Sequence, residues 1–273
     1  MRLTKVLNKH FNLCAKVLGQ GDEELTKVLN KHFNPYEKEN MNRKEPFVSA
    51  VIVCAGNSTR MGLNKSKQFI DLLGNPAVYY TLLAFENSLS VKEIVIVCRE
   101  CDKADFQSIV AKYGFTKVVA IVNGGETRSL SVKNGIDATS EKATHIAIHD
   151  GARCLITTNE IEKVILSALL TGASALGVKV KDTIKVVNDD ETIKDTPDRS
   201  TLRAIQTPQV FDKDKYIKFL ENAKNDAVDF TDDCKLFEYF GEKVTVVDGL
   251  YTNIKLTTQD DIILAESILK GRE

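Results

Sequence analysis

Short apolar runs separated by stretches of helical periodicity fill the chain from residue 47 onward. The runs, rich in Val and Ile, are FVSAVIVC (47–54), EIVIVC (93–98), KVVAIV (117–122), HIAIH (145–149), ASALGVKV (173–180) and KVTVVDG (243–249). Between most of them lie AVYYTLLAFENS, KADFQSIVAKYG, TRSLSVKNGIDA and EIEKVILSALLTG. Near-continuous apolar strands that alternate with helices predict a Rossmann-like α/β fold, with a mostly parallel sheet covered by helices on both faces.

Length and charge exclude several classes of protein. A chain of 273 residues suffices for one large α/β domain, with or without a small appendage. The formal net charge of −1 gives no basic field for nucleic acid. No apolar run approaches the roughly 20 residues that span a bilayer. The N-terminal sequence MRLTKVLNKHFN lacks the apolar core of a secretory signal. We therefore expect a cytoplasmic protein.

The N-terminal region carries an identical ten-residue repeat. LTKVLNKHFN occurs at residues 3–12 and again at 25–34, and its apolar positions have the spacing of an amphipathic helix. A polar, Pro-bounded linker follows, so we predict a helical and linker extension over 1–46 and the main α/β domain over 47–273. Met41, just before the first strand, is an alternative start for that domain. A docking or dimerising role for the repeat is the other interpretation.

Residues 181–202, KDTIKVVNDDETIKDTPDRSTL, do not fit the alternation of strands and helices. Two short β-like runs flank the turn signal NDDE, which predicts an inserted β-hairpin arm. Such an arm packs either on a partner subunit or on its own domain, and this sequence pattern is compatible with both.

The loop after the first strand, CAGNSTRMGLNKSKQF, combines small residues with fixed positive charge. It matches neither the Walker A motif nor GxGxxG, because Leu63 and Ser58 occupy key positions. Its Gly56 turn can still present backbone N–H groups to phosphate oxygens. Arg60 can form a fork onto two such oxygens, and Lys67 supplies a compact point charge. The alternative interpretation is a solvated basic loop.

Two further strand-end loops carry complementary chemistry. In NGGETRSLSVKNG, Gly124 and Gly125 allow close backbone approach and Ser131 offers a hydroxyl. In HDGARC, Asp150 ends a buried strand and Gly151 permits tight contact. A carboxylate there suits a ribose hydroxyl or Mg²⁺, although a helix cap is the alternative. Three such loops at the carboxyl edge of one sheet predict a nucleoside triphosphate site.

Other polar residues are better explained by structure. His149 ends an apolar strand, so we predict a buried, hydrogen-bonded histidine rather than a catalytic base. Cys98 and Cys101 form the one closely spaced cysteine pair, without the second pair or Cys/His cluster that a zinc site needs. Reduced thiols in a cytosolic fold are the expectation.

Six motifs follow one another over about residues 47–271. In order they are CAGNSTRM…KQF, GGETRSLSV, HDGAR, DTPDRSTLRAIQTPQVF, TDD and NIKLTT. In that order they closely resemble 2-C-methyl-D-erythritol 4-phosphate cytidylyltransferases, which have a nucleotidyltransferase (GT-A-like) architecture. The first motif is common to many sugar nucleotidyltransferases. HDGAR together with AIQTPQVF and NIKLTT is much narrower.

The resemblance implies transfer of CMP from CTP to 2-C-methyl-D-erythritol 4-phosphate, with release of pyrophosphate and Mg²⁺ on the nucleotide phosphates. Positions matching the family's cations near the α-phosphate are Arg60, Lys67 and Lys255. Positions matching its nucleotide-binding residues are Ala55, Gly56, Gly124, Ser131, Asp150 and Gly151. Asp150 also matches the family's position for a metal ligand.

Acceptor binding is implied for positions spread more widely. Matching residues are Arg153, Thr183, Arg199, Thr231 and Thr252. In the family, the positions of Thr183 and Arg199 reach the substrate phosphate from the neighbouring subunit's arm, which implies a homodimer. Thr252 stands where some members have an aspartate.

Other functions on this scaffold remain to be distinguished. Ribitol 5-phosphate cytidylyltransferases share the chemistry but tend to carry HDSVR in place of HDGAR. A non-catalytic regulator should lack Arg60, Lys67 or Lys255, and all three are present. A dinucleotide-binding dehydrogenase would need a glycine fingerprint that this chain lacks.

Removal of residues 1–40, so that the chain begins at Met41, is expected to leave solubility and nucleotidyl transfer unchanged. The reason is that 1–46 is predicted to lie outside the catalytic domain. Pyrophosphate release from CTP and the alditol phosphate, with circular dichroism as a check on folding, measures this against the full chain. An insoluble or inactive shortened chain would show that the duplicated segment belongs to the core.

Overall fold

The computed structural model describes residues 45–56, 66–225, 230 and 232–272. Predictions about the duplicated N-terminal segment, Met41, Arg60 and Thr231 lie outside these residues. Within the described ranges, no helix has the length and apolar character needed to cross a bilayer.

Strands and helices alternate over most of the described chain. The strands are β1 (Val48–Val53), β2 (Asp71–Leu72), β3 (Asn75–Pro76), β4 (Val91–Cys98), β5 (Val118–Asn123), β6 (His145–Asp150), β7 (Ala173–Lys179), β8 (Val186–Val187), β9 (Ile193–Asp195), β10 (Arg203–Asp212) and β11 (Thr245–Asp248). The α-helices are α1 (Ala77–Glu86), α2 (Lys103–Tyr113), α3 (Arg128–Asp137), α4 (Thr158–Thr171), α5 (Lys213–Asn225), α6 (Asp233–Tyr239) and α7 (Asp260–Lys270).

A seven-stranded sheet in the order β11–β7–β10–β6–β1–β4–β5 forms the centre of the molecule. Strand β1 pairs in parallel with β4 and with β6, and β4 pairs in parallel with β5. Strand β11 is parallel to β7. The predicted mostly parallel α/β sheet is therefore confirmed, and the carboxyl ends of β1, β4, β5 and β6 share one edge.

Strand β10, which the sequence analysis did not identify, lies between β6 and β7 and is antiparallel to both. Pro208 is the reason that this strand is hard to predict, because a proline within an apolar run argues against a central strand. The pairing with β7 is irregular between Ile205 and Gln209, so Pro208 falls where the ladder is interrupted. The missing N–H of proline therefore costs no regular ladder bond there.

Each face of the sheet has its own apolar core. Along β1, Ala50 and Ile52 face the core that includes residues of α1, α2 and α4. Val51 faces the opposite core, formed with residues of α3, α5 and α6. Because both faces are buried, β1 reads as a continuous apolar run. Close packing of α3 relies on Gly135, where a Cβ would lie 2.4 Å from Cγ1 of Val51.

Helix starts near the carboxyl edge are fixed by their own sequences. The Thr127 side chain accepts a hydrogen bond from the Leu130 N–H and so caps α3. Thr157 and Glu160 form a reciprocal capping box at the start of α4. These caps define where the strand-end loops stop.

The hairpin predicted within 181–202 is present as the antiparallel pair β8–β9. It follows β7, which ends at the carboxyl edge, and it precedes the reversed strand β10. The arm therefore both leaves and rejoins the sheet at the edge where the strand-end loops lie. Its apolar residues are exposed, with Val187 at 51% and Ile193 at 63% of full exposure.

Candidate active site

A cavity of about 640 Å³ opens at the carboxyl edge of the sheet. Its walls come from the segments that follow β1, β4, β5 and β6, together with Lys255 from the segment after β11. The predicted residues that line it are Ala55, Gly56, Lys67, Gly124, Ser131, Asp150 and Lys255. The structure thus brings together residues that are up to 200 positions apart.

On the β5 side of the cavity, backbone segments lie very close to neighbouring residues. A Cβ on Gly124 would lie only 2.3 Å from Cβ of Ala55, so this position accommodates glycine but no larger residue without a shift. The Gly125 N–H donates to Oγ of Ser131 at 3.0 Å, and Ser131 Oγ donates to the Thr127 carbonyl at 3.0 Å. This wall is therefore a rigid turn held against the start of α3.

On the opposite side of the cavity, cationic side chains surround Asp150. Its Oδ2 lies 2.8 Å from Nζ of Lys255 and 3.9 Å from Nε of Arg153, while Oδ1 lies 3.8 Å from Nη2 of Arg128. Burial alone would raise the pKa of Asp150, but Lys255 and Arg128 outweigh it and hold the pKa below its usual value. Asp150 is thus held as a carboxylate among three cationic side chains.

Arg128 is itself anchored by a second buried carboxylate. Its Nη2 donates to Oδ2 of Asp233 at 2.6 Å, and Asp233 also accepts from the Tyr216 hydroxyl at 2.7 Å. Although burial opposes ionisation, Asp233 and Asp150 raise the pKa of Arg128 above its ordinary value. The guanidinium therefore remains charged at the cavity wall.

Lys67 reaches the cavity from a short 3₁₀ turn, Lys67–Phe69. Its Nζ donates to the Leu256 carbonyl at 3.2 Å, one residue beyond Lys255. The neighbouring Gln68 side chain donates to the Cys54 carbonyl at 3.3 Å and ties this turn to the end of β1. The Lys67 side chain thus contacts the backbone of the segment that carries Lys255.

The segment that carries Lys255 is fixed to the loop after β6. Leu256 N–H donates to the Ala152 carbonyl at 2.9 Å, and Nη1 of Arg153 donates to the Asn253 carbonyl at 2.9 Å. The fully buried Asn253 amide donates in turn to the Thr207 carbonyl at 3.1 Å. These bonds connect segments that the sequence separates by 46 to 104 residues.

His149 is buried and hydrogen-bonded, as the sequence analysis predicted. Its Nε2 lies 3.2 Å from the Arg153 carbonyl, which can only accept, so Nε2 carries the proton. Nδ1 then accepts from the Thr207 hydroxyl at 3.0 Å, and that hydroxyl accepts from the Asp150 N–H. Burial lowers the pKa of His149 to about 4. The neutral ring joins the backbones around Asp150 and Arg153.

Gly151 lies between Asp150 and Ala152, which line the cavity, but does not itself line it. A Cβ there would meet Sγ of Cys54 at 2.2 Å, so the two strand ends approach each other as far as atoms allow. Burial raises the pKa of the Cys54 thiol well above its ordinary value, so this sulfur is an apolar packing group.

Several predicted acceptor-binding residues lie away from the cavity. Arg199 donates from Nη1 to the Lys181 carbonyl at 2.6 Å and lines a separate concavity at the root of the arm. Thr183 is exposed on the arm. Thr252 accepts from Nη2 of Arg272 at 3.2 Å. Among the described residues, one chain therefore does not assemble all of its predicted site residues around a single cavity.

The sequence analysis assigned no role to Gln68, Arg99 or Arg128, which also line the cavity. Arg128 lies inside the quoted motif GGETRSLSV, so its position was a usable signal. The segment after β4, which carries Arg99, was interpreted only through its cysteines, Cys98 and Cys101, and not as a ligand-binding loop. The parallel pairing of β4 between β1 and β5 is what brings it to the site.

An α/β sheet with cationic and glycine-rich loops at its carboxyl edge is the architecture of the nucleotidyltransferase class. Comparison with known proteins gives the family. The model of IspD, 2-C-methyl-D-erythritol 4-phosphate cytidylyltransferase, matches residues 48–271.

Individual relatives agree with that match. The 2-C-methyl-D-erythritol 4-phosphate cytidylyltransferase of Caldanaerobacter subterraneus subsp. tengcongensis is 44% identical over 225 residues, covering 82% of this chain and 99% of the relative. The protein of the same name from Clostridium novyi is 44% identical over 224 residues, or 81% and 96% of the two chains. The solved 4-diphosphocytidyl-2C-methyl-D-erythritol synthase of Anaerococcus prevotii has a TM-score of 0.74 and 34% identity, covering 82% and 99%. The chain belongs to the 2-C-methyl-D-erythritol 4-phosphate cytidylyltransferase family, which confirms the resemblance of its motifs.

The contact between Gly151 and Cys54 predicts a measurable coupling. Gly151→Ala should lower the free energy of unfolding by about 1–3 kcal/mol, because the added methyl group overpacks the site. In the double variant Gly151→Ala/Cys54→Ala the loss should be smaller than the sum of the two single losses, because the sulfur is gone. Denaturant unfolding of the four proteins measures this. Additive losses would contradict the contact.

Proposed function

We propose that this chain transfers CMP from CTP to 2-C-methyl-D-erythritol 4-phosphate, the reaction of its family, in the cavity at the carboxyl edge. The observation that carries the proposal is the convergence of Lys67, Lys255 and Asp150 on one cavity wall, facing a wall of close backbone turns. The products are 4-diphosphocytidyl-2-C-methyl-D-erythritol and pyrophosphate. The cytoplasmic location expected from the sequence remains a prediction.

The chemistry requires placement of charge rather than proton transfer. An oxygen of the acceptor's phosphate attacks the α-phosphorus of CTP, and the bond from that phosphorus to the departing pyrophosphate breaks. The nucleophile is already anionic, so no general base is required. Negative charge accumulates on the α-phosphoryl and leaving oxygens, and fixed cations stabilise it without reorganising.

Lys67 and Lys255 are the described cations suited to this task, and we assign Arg60 to the same group from its motif. Both lysines are held in place before any ligand arrives, Lys67 by the Leu256 carbonyl and Lys255 by Asp150. Preorganisation of this kind reduces the entropic and solvent cost of reaching the transition state. A phosphate group entering the cavity would compete with Asp150 for the Lys255 ammonium.

Asp150 is the residue we assign to Mg²⁺. It contributes one carboxylate to the cavity wall, which fits an ion that takes one or two carboxylates and completes its shell with substrate phosphates and water. The described residues contain no group of three or more His, Cys, Asp or Glu side chains able to hold a metal. When bound, the ion would supply additional positive charge to the nucleotide phosphates.

The nucleoside half of CTP fits the β5 side of the cavity. Gly124 and Ser131 offer backbone and hydroxyl groups to the base, while Ala55 and Gly56 supply the adjoining turn. We assign the ribose to Asp150 and the neighbouring Gly151. Beside Gly56 no atom of the described residues lies within 4 Å of where a Cβ would be, which leaves room for a ring to lie against the backbone there.

We assign acceptor binding to Arg153, Thr183, Arg199, Thr231 and Thr252. Thr183 and Arg199 would act on the partner subunit's site, in a homodimer assembled through the arm. Two features support this assignment: Arg199 lies outside the chain's own cavity, and apolar side chains of the arm are exposed. A two-fold interface would bury both arms reciprocally.

The direct test of the proposed function is pyrophosphate release by the purified full-length chain with CTP, Mg²⁺ and each of two acceptors. Release with 2-C-methyl-D-erythritol 4-phosphate and little with ribitol 5-phosphate is the expected result. Chelation of the divalent ion should abolish it. The opposite acceptor preference, or no release with either, would overturn the proposal.

Lys67→Ala and Lys255→Ala are each expected to lower kcat by about 10²–10³-fold, or about 3–4 kcal/mol in the barrier, by analogy with removal of one oxyanion-hole donor. The fold should persist, since neither side chain is part of the apolar core. Steady-state kinetics with circular dichroism measures both effects, and Lys133→Ala, an exposed cation paired with Asp137, is the matched control. Turnover within threefold of the unmodified protein would remove that lysine from the chemistry.

Arg199→Ala is expected to raise KM for the acceptor phosphate about tenfold or more while leaving KM for CTP unchanged. The control is Lys185→Ala, which removes an arm cation whose Nζ instead donates to Thr196 Oγ1. Equal weakening of both substrates would contradict the assignment of Arg199.

Mixing the Arg199→Ala and Lys255→Ala proteins tests whether the arm acts on the partner's site. After subunit exchange, each mixed dimer has one site with an intact Lys255 and an intact partner arm. At acceptor concentrations well below KM, where the Arg199→Ala protein alone has little activity, a statistical mixture should therefore show about a quarter of normal activity. No recovery, with exchange verified by mass spectrometry, would show that the arm serves its own chain.

A further inference from the structure

The segment after β4 contributes a fourth cation to the cavity wall, beside Lys67, Arg128 and Lys255. Cys98, Arg99 and Glu100 all line the cavity, between the turn that follows β1 and the turn that follows β5. No role has been assigned to Arg99 above. Its placement follows from the position of β4 in the sheet, so it belongs to the architecture of the site rather than to a chance surface contact.

Arg99 is held rigidly by a buried carboxylate. Nε donates to Oδ2 of Asp102 at 2.7 Å and Nη2 donates to Oδ1 at 2.9 Å, a two-pronged fork. The Asp102 side chain is only 7% exposed, whereas that of Arg99 is 32% exposed. An arginine fixed at two nitrogens loses little further freedom when a ligand binds to its remaining donors.

The fork leaves one nitrogen of Arg99 available. Nη1 has no acceptor among the described residues, while the fork occupies the other two nitrogens. If Arg99 served only to neutralise Asp102, the fork would be sufficient and the side chain would not need to line a cavity. An arginine donor at a cavity wall suits an oxygen or nitrogen acceptor, or the face of a planar ring.

Strand order shows which part of a nucleotide Arg99 can reach. The end of β4 lies two strands from the end of β6, which is about 10 Å at the usual strand spacing. Asp150 ends β6 and holds Lys255, so that side is the phosphate side of the cavity. Arg99 lies next to Gly124 and Gly125 at the end of β5, which is the base side.

We propose that Arg99, held by Asp102, is a specificity-determining residue that contacts the base and ribose half of the nucleotide. This inference rests on the proposed function, because it takes the cavity to be the CTP site. A fixed donor here selects for ligands with an acceptor on the base or sugar. Bare polyphosphates lack such an acceptor.

The test compares the binding of CTP and of inorganic triphosphate, both with Mg²⁺, by isothermal titration calorimetry. Arg99→Gln removes the cation, and Arg99→Gln/Asp102→Asn removes both charges, so that no carboxylate is left buried and unpaired. Lys133→Gln, which removes an exposed cation of α3, is the matched control. Thermal unfolding without ligand confirms that each variant is folded at the titration temperature.

Both Arg99 variants are expected to bind CTP about tenfold more weakly, the loss typical of one charged hydrogen bond, with unchanged affinity for inorganic triphosphate. Lys133→Gln should bind both ligands normally. Two results would overturn the inference: normal CTP affinity in both Arg99 variants, which would make the fork a structural clamp only, or a parallel loss for inorganic triphosphate.

Failure of the inference and failure of the proposed function are distinguishable. If the unmodified chain binds no CTP, the proposed function fails and the inference fails with it. If the unmodified chain binds CTP and releases pyrophosphate while the Arg99 variants bind CTP normally, the inference alone is wrong.

Discussion

Parallel pairing of β1 with β4 on one side and with β6 on the other is the constraint on which the site depends. In this register Val53 lies opposite both Val97 and Asp150, so the three strands end together. The interiors of these strands are buried and mostly apolar, and their backbone polar groups are used in pairing. Polar chemistry is thereby confined to the segments that follow the strand ends, and these meet around one cavity.

Cations can collect at that edge because three of them are each paired with a carboxylate of the same chain. The pairs are Lys255 with Asp150, Arg128 with Asp233, and Arg99 with Asp102. Without these carboxylates the cations would repel one another, and burying their charge would cost a large amount of free energy. Paired in this way they are held in position, which under the proposed function would limit the reorganisation needed when the anionic nucleotide binds.

How far the sequence predicts this structure depends on the distance along the chain over which each feature is encoded. The first strands, the glycine turns and the hairpin carry local signals, so the α/β sheet and seven residues of the cavity wall were predictable. Strand β10 was not predictable, because Pro208 interrupts its apolar pattern. Neither was the anchoring of Arg128, whose partner Asp233 lies 105 residues away. The bond from His149 to Thr207 spans 58 residues and has no local pattern.

The arm, residues 181–202, exposes apolar side chains beside the site. Strand β7 ends at the cavity edge and β10 runs back from it, so residues 181–202 begin and end beside the site. Arg199 nevertheless donates to the Lys181 carbonyl at the arm's root, and Ile193 is largely exposed. A two-stranded apolar hairpin gains stability from a second surface, and in the proposed homodimer, with its proposed acceptor role for Arg199, the two-fold partner would offer one. If that partner covers it, the interaction that buries the hairpin also delivers Arg199 to a site, so assembly and acceptor binding are one event.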